Sequence, residues 1–207
     1  MTPRLTLALF GALLALTLAT PAAATDAAGR ATLGGDVFVA GHEVRVAEPV
    51  QGDLFATGGD VDVDAAVAGD LLAMGGKVRL RHDVGLTVYA AGGQLQIEGT
   101  VGRNLRVAGG QVELDETGQV MGNVSAAGGQ LRLSGPVRGH VQMAGGDVLI
   151  DGPVAGDVTV AAGQLTLGPR ARVDGRLRYR TGDDLKRHPD AQVAGGIERL
   201  LPSFGGR

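Results

Sequence analysis

The chain has no cysteine and no tryptophan, and aromatic residues make up only 3% of its 207 residues. Without cysteine there is no disulfide framework, no thiolate nucleophile and no cysteine-ligated metal, and lipoprotein processing is excluded with them. An excess of basic charge is missing too. Lysine and arginine number 19 against 22 aspartates and glutamates, a net charge of −3 with both signs interspersed, which argues against a nucleic-acid partner. No P-loop, nucleophile elbow, paired-carboxylate signature or Gly-Gly-x-Gly-x-Asp calcium repeat is present. What abounds is glycine, with 36 residues.

The glycines recur in a frame. Gly52 to Gly69 reads GDLFATGGDVDVDAAVAG, and the same frame returns down the chain, with an upstream copy beginning at Gly35. Glycine falls at Gly41, Gly58, Gly75, Gly92, Gly109, Gly128 and Gly145, with Ala162 in the last slot. The step is 17 residues except between Gly109 and Gly128, where an extra pair within Glu116 to Met121 makes it 19, and a second extra pair lies in Pro169 to Asp174. A period in this range marks a repeat architecture, which has to be read before any site.

Each copy has the same apolar skeleton. In the second copy it is Leu54, Ala56, Val61, Val63 and Val67; in the fifth it is Leu105, Val107, Val112, Leu114 and Val120. Alternation with period two means strands with one buried face, and no helical i, i+3, i+4 spacing occurs in this region. Short strands separated by corners, within about 17 residues, fit one triangular turn of a parallel β-helix, an all-β solenoid of roughly eight to nine coils. The corner motifs are Ala-Gly-Gly, where a backbone φ above zero would be tolerated, Gly-Pro, and Gly-Asp or Gly-Asn. One coil alone could neither pair its backbone groups nor bury its valines, so copies are needed in number.

The flanks read differently. Residues 1–24 have the layout of an export signal: Arg4, an apolar run from Leu5 to Leu18, and Ala22-Ala23-Ala24 as the expected cleavage site. Residues 25–33 form a small-residue lead-in, residues 34–180 the β-helix, and residues 181–207 a degenerate last coil and tail in which Ile197 to Leu201 could form one helical turn. The expected location is the periplasm or cell envelope. Membrane association would be indirect, or through the signal segment if it stays uncleaved.

The repeated A-G-G-x-V-x-V-x-G-x-V-x-G-D/N-V-x-V unit resembles the bactofilins, polymer-forming cytoskeletal proteins of bacteria. The resemblance spans nearly the whole chain after the signal segment. It implies a right-handed parallel β-helix that associates end to end without nucleotide, with links to envelope and cell-wall proteins. This chain departs from the typical family member by opening with a secretory signal, and so looks like an exported relative.

Several columns of side chains are candidate sites. Asp36, Asp53 and Asp70 stack at the Gly-Asp corner, where they would either recruit a hard cation or each make its own solvated Asx turn. The four histidines share no column, so no metal is expected. Gln94, Gln111 and Gln130 are placed to form an amide ladder. Phe38, Phe55, Leu72 and Tyr89 point outward from successive coils as an apolar stripe, either a contact surface or a strip covered by the chain's own ends.

These features describe a non-enzymatic scaffold that needs no cofactor and whose first partner is itself. Its N-terminal coil, with Val37, Val39, Val44, Val46 and Val50 and no evident polar cap, is the expected end for self-association. The alternative is a monomeric envelope module that binds a partner through the Phe38–Tyr89 stripe. Aromatic-poor columns elsewhere argue against a long sugar groove. A hexapeptide-repeat acyltransferase, also a β-helix, has an 18-residue coil and fits the spacing less well.

Overall fold

The computed structural model describes residues 28–200, so the expected export signal lies outside the described residues. Those residues contain strands and turns but no helix, hence none long and apolar enough to cross a membrane. The chain winds as a parallel β-solenoid whose main sheet draws strands from all ten coils. The first eight strands are Asp36–Val46, Leu54–Val63, Leu71–Leu80, Val88–Ile97, Leu105–Leu114, Val124–Leu133, Val141–Ile150 and Val158–Leu167. Leu177–Thr181 and Ile197–Arg199 supply the ninth and tenth.

The register is constant. Val37 lies opposite Leu54, Leu54 opposite Leu71, and Leu71 opposite Val88, so each coil repeats the apolar pattern directly over the last. Inward residues alternate along the strand, but the alternation changes phase at the glycine pair. Leu54 and Ala56 are buried on one side of Gly58-Gly59, and Val61 and Val63 on the other. Each long strand therefore supplies two walls of the coil, one on either side of the glycines. The third wall is short and is held by a valine ladder from Val50 through Val67, Val84, Val101, Val120, Val137, Val154 and Val173 to Val193. Val50 through Val173 are buried, as are the repeated apolar positions of the long strands, so the expected skeleton is the observed core.

The corner glycines serve a different purpose from the expected one. Among the described residues only Gly34 (φ 62) and Gly196 (φ 90) have positive φ, so the Ala-Gly-Gly column needs no left-handed backbone. It needs the absence of a side chain. A Cβ on Gly109 would stand 2.6 Å from the Gly92 carbonyl oxygen, and one on Gly58 equally close to that of Gly41. In the eighth coil Ala162 takes the slot, so the approach is relaxed enough there for a methyl group.

The two extra pairs leave the stack undisturbed because each folds into its own turn. Gly118 N–H donates to the Asp115 carbonyl, and Ala171 N–H to that of Gly168. Leu105 consequently still lies opposite Val124 across the longer step. Both insertions fall at the same corner, and Arg170 in the second pairs with Glu116 in the first and with Asp151, 2.8 Å away. They clasp the two coils between them.

Both ends depart from expectation. The described part of the lead-in, residues 28–33, does not fold over the outward stripe. Its strand Gly29–Leu33 turns back at Gly34 and pairs antiparallel with Asp36 to Ala40, capping half of the first strand's edge. At the other end Ile197–Arg199 is a strand opposite Leu177 to Tyr179, not a helical turn. The preceding coil is also more regular than its charges suggest: Lys186–Arg187 pairs with Thr166 and Leu167, and Gln192–Val193 with Arg172 and Val173. Ala191 N–H bonds the His188 carbonyl, and Arg187 closes that corner by donating to the Ala191 carbonyl, which lets a charged sequence finish an apolar coil.

Substituting Gly109 with alanine, which drives a methyl group into the coil above, should lower unfolding free energy by about 1–3 kcal/mol. Gly182→Ala, whose nearest neighbour would be 3.9 Å away, should change it by less than about 0.5 kcal/mol. Urea denaturation of the two variants checks this; equal losses would show that the glycine column is not a packing requirement.

Candidate functional site

The polar columns are occupied by the fold itself. Asp36 Oδ1 accepts the backbone N–H of Asp53, Asp53 Oδ1 that of Asp70, and Asp70 Oδ1 that of Thr87, at 2.7–2.9 Å. Each carboxylate thus ties its corner to the next coil instead of making an Asx turn within its own. Asn104 and Asn123 continue the same bonding, and His140 fills a slot by accepting the Asp157 N–H at Nδ1, 2.9 Å away. Among the described residues no group of three or more His, Asp or Glu side chains is placed to hold a metal ion.

The glutamine ladder forms as expected, with Gln94 donating to Gln111 (3.1 Å) and Gln111 to Gln130 (2.9 Å). Beside it, Asp62 and Asp64 lie in an ionic mesh that crosses coils. Arg79 contacts Asp62 at 2.7 Å, Arg45 contacts Asp64 at 2.7 Å, and Arg81 bonds Asp64 as well. Burial opposes ionisation of Asp64, but the hydrogen bond and charge of Arg81 and the charge of Arg45 overcome it and hold the carboxyl below the usual range. At Asp151, burial is likewise outweighed by the backbone N–H and guanidinium of Arg170; at Asp157 the Arg176 N–H is the main cause of the same downward shift.

The valines assigned to self-association are core residues. Val37, Val39, Val44, Val46 and Val50 are all 6% exposed or less, so any pairing at this end would have to use backbone edges and not valine side chains. The edge is half taken. Gly29–Leu33 occupies Asp36 to Ala40, while among the described residues no strand pairs with the outer edge of Glu43 to Val46.

The apolar stripe lies where the sequence placed it. Phe38 and Tyr89 are 39% and 40% exposed, and the Phe38 and Phe55 rings stack 4.7 Å apart in successive coils. Arg106, which ends the stripe, sits over the Tyr89 ring 5.9 Å from its centroid. A neighbouring column was missed. Two residues further along each strand come Ala40, Thr57, Met74, Ala91, Ala108, Ala127, Ala144 and Ala161, all exposed. The signal for it was the first letter of each Ala-Gly-Gly motif, read only as part of a corner.

Together the two columns make a wall unlike its neighbour. In the first three coils its two outward columns hold Phe38, Ala40, Phe55, Thr57, Leu72 and Met74, none charged, with the corner aspartates Asp36, Asp53 and Asp70 along one margin. Across the glycine corner the same coils present Glu43, Arg45, Asp60, Asp62, Lys77 and Arg79, all charged. Water is bound strongly on one wall and weakly on the other, so the first is the wall that contact would desolvate cheaply. No family model, curated protein or solved structure matches the chain.

A pH effect follows from the depressed carboxylates. Their folded-state ionisation is favoured, so they add stability that is complete above the unfolded-state pKa of about 4 and disappears as pH falls through the lower folded values. Urea midpoints should therefore fall between about pH 4 and pH 2, and the triple variant Asp64→Asn, Asp151→Asn, Asp157→Asn should show a shallower decline. An unchanged slope would exclude these three as its source.

Proposed function

We propose that the protein is a non-enzymatic scaffold of the bacterial cell envelope that self-assembles through the ends of its solenoid, as its resemblance to bactofilins implies. The observation that carries this reading is the half-capped N-terminal edge. A parallel ladder leaves its last strand with N–H and C=O groups pointing away from the stack, and such an edge is a template for another strand. Gly29–Leu33 is a strand seated on this edge, and among the described residues none pairs with Glu43 to Val46 beside it. Since Val46 C=O accepts the Asp64 N–H of the second coil, alternation along the ladder turns the backbone groups of Arg45 toward the open end. Export would place this assembly in the periplasm or envelope, and cell-wall proteins are the expected further partners.

A second reading is favoured by the exposed Phe38 stacked on the half-buried Phe55. On this reading the protein is a monomeric envelope module that holds a partner through the wall containing the stripe.

Negative-stain electron microscopy of the purified chain over a range of concentrations separates the two. Filaments one solenoid wide support the scaffold; isolated particles at every concentration would retire it in favour of the binding module. A buried charge at Val44 would unfold the end coil, so the edge is better tested at Arg45. Arg45→Pro, which removes an outward N–H, should abolish filaments, and Arg45→Ala, which keeps it, should not. Loss with both variants would trace assembly to the side chain instead.

A further inference from the structure

We infer that the uncharged wall is a second self-association surface, on which two copies pack face to face with their coil axes parallel. The inference goes beyond the end-to-end reading, because it concerns the flank of the solenoid and holds whether or not the ends join.

The occupant follows from shape. In the first, second and fourth coils the strand presents a large apolar side chain and, two residues on, a small one: Phe38 stands beside Ala40, Phe55 beside Thr57, and Tyr89 beside Ala91. In the third, Leu72 stands beside the exposed and flexible Met74, which has to swing aside for a partner's ridge. A ridge next to a furrow, both running along the axis, is complementary to itself under one operation, a two-fold rotation about a line parallel to the axis between the columns. That rotation sets the ridge of each copy in the furrow of the other at every coil, with apolar coils against apolar coils. Turning one copy end for end about the strand direction would instead face Phe55 and Leu72 with the polar half of the wall, near Gln142 and Thr159.

Size and charge bound the contact. The eight coils before Arg178 and Arg180 enter these columns make a wall on the order of 35 Å long at about 4.8 Å per coil. A strip roughly 15 Å wide then gives on the order of 500 Å² per partner, below the ~800 Å² of a standard interface, so the lateral pair is a weak one. The apolar stripe alone, about 15 Å long, is too short for that, so the alanine column of coils five to eight has to take part. Through the first eight coils Arg106 is the only charge in the ridge and furrow columns, and in the parallel arrangement it lies over the partner's furrow and not over its own counterpart.

The test uses the absence of native cysteine. Thr57→Cys and Ala127→Cys, both exposed furrow positions in the second and sixth coils, are introduced singly into the full chain and treated with a thiol crosslinker spanning about 10 Å, the separation of packed sheets. Parallel face-to-face pairing predicts that each variant crosslinks to itself. Antiparallel pairing would crosslink Ala127→Cys alone, since the two copies of position 57 would then be on the order of 30 Å apart, and end-to-end joining would crosslink neither; either result overturns the inference. A third variant, Ala127→Arg, should reduce sedimenting dimer at least tenfold while leaving the urea midpoint unchanged, and a dimer insensitive to it would also overturn the inference. Arg45→Pro should retain both crosslinks, so loss of filaments and loss of the lateral pair are read separately.

Discussion

Everything in this molecule depends on the backbone hydrogen bonds that join one coil to the next in an unshifted register. Because the partner of each residue is the residue one coil away, the side chains in any column must fit one another and not merely be apolar. This explains why valine follows valine on the short wall, and why the corner column excludes even a methyl group where carbonyl oxygens crowd it. It also explains the aspartates. At a corner the backbone N–H cannot always find a carbonyl, and a carboxylate from the coil above supplies the missing acceptor.

Much of this architecture was legible in the sequence because the repeat samples it many times. Spacing identified the buried positions of the long strands, the valine ladder and the outward stripe, since a period-two pattern fixes which way each side chain faces. The same repetition misled where one motif has two possible physical causes. Ala-Gly-Gly suits both a left-handed turn and a crowded stack, and only the φ angles distinguish them. The ends were least legible because they are sampled once. Gly29–Leu33 is too short and too mixed to announce a strand, and its role comes from the edge it meets. Lys186 and Arg187 looked like an interruption, yet their neighbours let them pair as a strand.

The candidate contact surfaces were read unequally for a related reason. Large exposed side chains such as Phe38 and Tyr89 declare themselves, whereas an alanine furrow looks like scaffolding until the ridge beside it is in place. Several titratable groups are spent on structure: the carboxylates with altered ionisation are engaged with backbone or guanidinium groups, and His140 is one more rung at a corner.

The regular step also has a mechanical meaning. Coils such as those starting at Leu54 and Leu71 are joined to their neighbours by similar ladders 17 residues apart, so a pull along the axis finds no weakest layer in the middle and works from an end. Each coil that peels away would release about 60 Å of extended chain, 17 residues at roughly 3.5 Å each, before the next carries the load. The clasp between Glu116 and Arg170 is the exception, since it bridges coils that are not adjacent. A solenoid of this kind would yield to tension in nearly equal increments, pausing at that clasp, and so behave as an extensible tether and not as a brittle rod.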